Sequence, residues 1–179
     1  MTDLSPDAKP EFHLQSYAPA QPIEGVEIVE LKRHHDDGGS MTELARLTEG
    51  HPEALAGFTV RQINYSEVEP GAIKAFHLHL RQTDVWYVPP SDRMLVVLID
   101  VRKGSRTEGA RRRIVLGSGA SRLLRIPAGV AHGARNLGTG TGRIIYFTDL
   151  HFSAEPATCD EGRLPWDYAG ADIWEIARG

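Results

Sequence analysis

Between Ala72 and Asp149 the chain reads as one short strand after another. The stretches Ala72 to Leu80, Val85 to Val88, Met94 to Arg102, Arg113 to Leu116, Arg122 to Ile126 and Gly142 to Asp149 are mostly bounded by Gly, Pro, Ser or Asp clusters. Short strands at such close, even spacing predict an all-β sandwich, jelly roll or barrel. Upstream, Phe58, Val60, Gln62 and Asn64 alternate with Thr59, Arg61 and Ile63, the pattern of a half-buried strand. Strand-like signals begin at Val26, and Asp36 to Ser40 is a turn. Met41 to Leu47 fits a strand or a helical turn, and His51 to Gly57 a loop. Asp172 to Ala177 reads as a short C-terminal helix turning Ile173, Trp174 and Ile176 inward. Residues 1–22 carry Pro6, Pro10, Pro19 and Pro22 and read as an arm, leaving residues 23–179 as a single domain.

Composition narrows the function. The 179 residues are 41% hydrophobic and 25% charged, which is globular and large enough for a sizeable core. A net charge of −4 argues against nucleic-acid binding, and the run Arg111 to Arg113 reads as a solvated strand edge or turn. No apolar run approaches membrane-spanning length, and the N-terminus has no apolar signal segment. Cys159 is the only cysteine. The expectation is a soluble, cytoplasmic protein.

Chemistry concentrates in three segments. His77 and His79 are two residues apart, so on a strand both imidazoles face one side. His132 follows Pro127 and Gly129, which bend the chain, and Tyr146 lies on a later strand. Imidazole both transfers protons near neutral pH and ligates metals, so two kinds of site are open. Gly71, His77 and His79, with Asp84 downstream, fit the first cupin motif, although Ser91 replaces its closing Gly. Pro127, Gly129, His132 and Asn136 fit the second, Pro-x-Gly-x-x-His-x-x-x-Asn. The cupin resemblance implies a double-stranded β-helix in which His77, His79, Asp84 and His132 would hold a divalent Fe, Mn, Ni, Cu or Zn ion.

A second resemblance runs from about Val26 to Trp166. Gln62 to Asn64, Gly71 to His79, Asp100 to Gly109 and Ile126 to Gly133 follow, in order, segments of the dTDP-4-dehydrorhamnose 3,5-epimerase family. Tyr146, Phe152 and the stretch Glu161 to Asp167 continue the likeness. That family has a cupin-type jelly roll, works without metal or other cofactor, and forms homodimers. The resemblance implies that His77 is the base beside a sugar C4 ketone, Tyr146 the acid on the opposite face, and Asp172 the residue orienting the imidazole. It further implies substrate contacts from Glu43, Gln62, Asn64, Lys74 and His132, nucleobase stacking by Phe152, and a Glu43 that serves the neighbouring subunit.

The chain also departs from that family. Lys74 and Ala75 stand in place of its Arg-Gly, Gly38 in place of an early Arg, Asp84 in place of a Lys near the sugar, and His79 in place of a Gln. Lysine keeps charge at position 74 but loses the guanidinium fork that grips phosphate. The changes at positions 79 and 84 move the site toward the metal-cupin ligand set. The favoured expectation is an epimerase of a nucleoside-diphosphate 4-keto-6-deoxysugar; the alternatives are a metal-dependent cupin enzyme and a non-catalytic sugar-binding relative.

Overall fold

The computed structural model describes residues 2–14 and 21–176. In chain order the strands are β1 (Glu27–Glu30), β2 (Arg33–Asp36), β3 (Gly39–Thr42), β4 (Leu47–Thr48), β5 (His51–Pro52), β6 (Gln62–Val68) and β7 (Ile73–Leu78). Then follow β8 (Asp84–Tyr87), β9 (Arg93–Asp100), β10 (Arg111–Gly117), β11 (Arg122–Ile126), β12 (Val130–Asn136), β13 (Gly142–Thr148) and β14 (Gly162–Arg163). Two five-stranded antiparallel sheets, β1-β11-β8-β13-β6 and β10-β9-β12-β7-β14, face each other as a cupin-type jelly roll. The hairpins β2–β3 and β4–β5 stand apart from both sheets.

Alternation decides which side chains meet between the sheets. Met94, Val96 and Leu98 of β9, Trp86 and Val88 in and after β8, Leu124 and Ile126 of β11, and Ile144 of β13 form the inner core. The other parity of β9, Leu95, Val97 and Ile99, is buried as well, because the C-terminal Trp174, packed beside Phe76 of β7, covers the outer face of that sheet. Their rings lie 5.2 Å apart. Likewise Leu55 and Phe58 roof Val85, Tyr87, Leu123 and Phe147 on the other sheet. Strands covered on both faces read as continuous apolar runs, which is why Met94 to Ile99 shows no alternation in sequence.

Several boundaries differ from expectation. Phe58 to Arg61 form no strand, since Phe58 turns inward to roof the sheet. His51 and Pro52 form a short strand instead of loop. Met41 and Thr42 end β3, and Leu47 and Thr48 make β4, so Met41 to Leu47 holds no helical turn. The C-terminal helix is one 3-10 turn, Ala171–Trp174. Trp174 is buried within it, whereas Ile176 is 58% exposed because the turn ends before Ile176 can reach the sheet. Ala177 and Pro19 lie outside the described residues. Arg111 to Arg113 sit on edge strand β10, where Arg111 and Arg113 donate to the backbone carbonyls of Ala169 and Glu175.

Two glycines shape the site. Gly129 has φ +77°, a left-handed conformation, and its N–H donates to the His79 carbonyl at 2.7 Å. That bond ties the turn before β12 to the end of β7. At Gly133 the pairing of β12 with β7 slips register, and a Cβ there would sit 2.3 Å from the Ala75 Cβ. Gly133→Val should therefore cost about 3 kcal/mol by forcing the two strands apart. Chemical denaturation of the variant checks this: an unchanged midpoint would mean that the strands can separate freely.

Candidate functional site

At one end of the sandwich the inner faces change from apolar to polar. The parity that buries Val68, Val88 and Ile144 carries on to Gln62, Asn64 and Ser66 of β6, Asp84 of β8, and Tyr146 and Thr148 of β13. The facing sheet contributes His77, His79, just beyond β7, and Arg163 of β14. Together they enclose a cavity of about 710 Å³, within the range of small-molecule sites.

His77 and Tyr146 enter this cavity from opposite sheets. The Arg163 guanidinium donates to His77 Nε2 at 2.8 Å, so that nitrogen is unprotonated. Burial first, then the neighbouring His132 ring and the Arg163 guanidinium, pushes the His77 imidazole down to about 3. Burial, then the Asp84 and Glu161 carboxylates, pushes the Tyr146 phenol up. At neutral pH the imidazole therefore holds a lone pair and the phenol its proton, the two states that a base and an acid need.

Behind His77 lies a buried polar cluster. The His132 ring stacks against His77 with centroids 5.8 Å apart and 14° between planes. His79 and His132 both approach Asp84 Oδ2, at 3.8 and 3.5 Å. The Gln82 amide donates to Asp84 Oδ1 at 2.7 Å, and the Trp86 indole to Oδ2 at 3.0 Å. Burial alone would raise the Asp84 carboxyl; the polar groups gathered round it, the Trp86 indole N–H among them, outweigh burial and hold it at about 2.

Of the residues singled out in the sequence, His77, Tyr146, Gln62, Asn64, Lys74 and Phe152 line the cavity, as do His79 and Asp84. Gln62 donates to Asn64 Oδ1 at 2.8 Å and accepts from the Phe152 backbone N–H at 2.9 Å, fixing three of them relative to one another. Lys74 extends its ammonium to Ser66 and the Glu67 carbonyl. His132 sits behind His77, buried and off the cavity lining. Glu43 is exposed and paired with Arg46 at 3.0 Å. Asp172 is exposed on the 3-10 turn. Neither of these two reaches the cavity. Of the four-residue metal set, His79, Asp84 and His132 cluster, while His77 turns to Arg163.

Arg163, Glu161 and Gln82 were not singled out. Arg163 and Glu161 arrive on and beside a two-residue strand after a long loop, where no periodicity marks them. Their signal was the resemblance at Glu161 to Asp167, which names a segment but no contact.

A jelly roll with a polar, imidazole-lined cavity at one end is the architecture of a cupin-type protein that handles a small ligand between its sheets. The dTDP-4-dehydrorhamnose 3,5-epimerase family model matches residues 20–170, and the chain belongs to that family. It is 41% identical over 145 residues to the spore coat polysaccharide biosynthesis protein SpsL of Bacillus subtilis, covering 81% of this chain and 91% of that protein. It is 30% identical over 146 residues to the probable low-salt glycan biosynthesis epimerase Agl13 of Haloferax volcanii, covering 81% and 89%. Among solved structures, the dTDP sugar isomerase of Desulfovibrio desulfuricans superposes with a TM-score of 0.72 at 29% identity, over 89% of this chain and 94% of that one. The dTDP-4-dehydrorhamnose 3,5-epimerase of Bacillus anthracis, solved with TDP and PPi bound, superposes with a TM-score of 0.69 at 25% identity, over 86% and 87%.

Proposed function

We propose that this protein is a nucleotide-sugar epimerase that inverts a carbon beside the C4 ketone of a nucleoside-diphosphate 4-keto-6-deoxysugar. The observation that carries this reading is the pairing of His77 and Tyr146, presented from facing sheets into one cavity. His77 Nε2 takes the proton from the carbon, and its electrons move into the carbonyl to give an enolate. Tyr146 then delivers a proton to the other face of the same carbon, which inverts it. Only protons move, so the step uses no redox or group-carrying cofactor.

Arg163 and Lys74 are the cations on this cavity's lining, and they suit a diphosphate. Arg163 must leave His77 before the imidazole can accept a carbon-bound proton, and the incoming diphosphate offers the guanidinium a stronger acceptor. Gln62, Asn64 and Phe152 form the opposite rim, where a nucleobase can stack on the exposed Phe152 ring. Residues 23–179 act as one domain behind an arm of residues 1–22, and the active form is a homodimer. The exposed β2–β3 hairpin and the nearby Glu43 reach the partner's cavity rather than their own.

Incubation in deuterium oxide with a dTDP-4-keto-6-deoxyhexose tests the reading. The sugar should gain deuterium at a carbon flanking the ketone and change configuration there. A sugar recovered with neither label nor inversion, although it binds, would assign the protein to the non-catalytic, sugar-binding class.

A further inference from the structure

We infer that His79, Asp84 and His132 form a binding site for one divalent first-row transition-metal ion. The argument begins with where the imidazole protons are. His79 Nδ1 lies 2.7 Å from the Asp160 carbonyl and His132 Nδ1 lies 3.0 Å from the Val130 carbonyl. A carbonyl oxygen only accepts, so each Nδ1 carries a proton, and each ring in its neutral form has its lone pair on Nε2. Both lone pairs converge on the same oxygen, Asp84 Oδ2, itself an acceptor.

Three acceptors thus face one another in a buried space. The three residues are 4%, 2% and 2% exposed, well shielded from bulk solvent. His132 Nε2 is buried and has no hydrogen-bond partner. His79 Nε2 has only the Gln82 amide at 3.4 Å, and that amide makes its shorter bond to Asp84. An unpaired acceptor held this deep is costly unless a cation joins the group.

The distances favour a metal over a shared proton. A charged N–H···O bond closes to about 2.7–2.9 Å; these gaps are 3.5 and 3.8 Å. Two ligands each about 2.0–2.2 Å from one tetrahedral ion stand roughly 3.3–3.6 Å apart. All three ligand atoms lie within 4.8 Å of one another. The surroundings hold the ligands in place as outer partners of metal sites do: two backbone carbonyls orient the rings, and Gln82 and Trp86 orient the carboxylate. His77 is excluded from the ligand set because the Arg163 cation occupies its Nε2.

Two imidazoles and one carboxylate select a divalent transition ion such as Zn, Fe, Co or Ni over Mg or Ca. Three protein ligands leave coordination positions open, and His79 and Asp84 both line the cavity, so those positions face it. On the epimerase reading, on which this role but not the site itself rests, an ion held by His79, Asp84 and His132 would supply Lewis-acid polarisation to a ketone bound in the cavity.

Chelator-treated protein titrated with Co(II) tests the site without substrate. Expected are one Co(II) per chain, visible absorption of a low-coordinate nitrogen–oxygen site, displacement by Zn(II), and a rise in melting temperature on metal addition. Asp84→Asn and His132→Ala should each lose all four signals, and His77→Gln should keep them. Should either variant fail to fold, the wild-type titration decides alone. No uptake by wild-type protein, or uptake unchanged in Asp84→Asn, overturns the metal site and leaves the epimerase reading standing, because neither measurement involves a sugar.

Discussion

His77→Gln is expected to lower kcat for epimerisation about a thousandfold, with KM within about threefold of wild type. Glutamine keeps a polar group of similar reach, so the Arg163 guanidinium retains an acceptor and the cavity its shape. What disappears is the imidazole lone pair that faces the cavity from the sheet opposite Tyr146. A group that acts in the transition state and barely in the ground state changes kcat rather than KM. Solvent deuterium exchange into the sugar should fall by the same factor as inversion. A loss of less than about tenfold would move the base role to another group, since general bases contribute 10²- to 10⁴-fold.

The contents of this cavity were legible in the sequence wherever strand alternation operates. Gln62 and Asn64, and Tyr146 on its strand, fall on inner faces because residues two apart share a side, and the structure keeps that phase. The strand carrying His132 was harder to see. Val130 to Asn136 mixes His, Gly and Arg with small apolar residues, so it shows no apolar alternation, yet it pairs along its length with β9. The Phe58 to Arg61 alternation misled for the opposite reason: Phe58 is buried as a roof over the sheet, not as part of it. Glu43 and Asp172 were placed by likeness alone, and likeness carries a residue's position along the chain but not where its side chain points. Arg163 was out of reach because a two-residue strand after a long loop leaves no pattern. The Asp100 to Gly109 segment also matched the family, and its role is structural: Asp100 accepts from Arg102, Ser105 and Thr107. Hydrogen bonding from Arg102 first, opposed by burial, holds that carboxyl well below its ordinary value.

Tyr146→Phe should separate two events that His77→Gln abolishes together. Inversion is expected to fall at least a hundredfold, while exchange of the α-carbon proton with solvent continues within about threefold of wild type. The reason is geometric. His77 removes the proton from one face and can return a solvent-derived one to that same face without help from the other sheet. Inversion needs a donor on the Tyr146 side, and phenylalanine has no proton to give. The substitution keeps the ring, whose packing against Trp86 at 6.4 Å persists, so stability should change by less than about 1 kcal/mol. Mass spectrometry of the recovered sugar reads exchange, and proton coupling constants read configuration. Equal loss of both would show that the phenol assists enolisation itself, by bonding the ketone oxygen. Retention of both would reduce Tyr146 to a packing residue and require a different donor on that face.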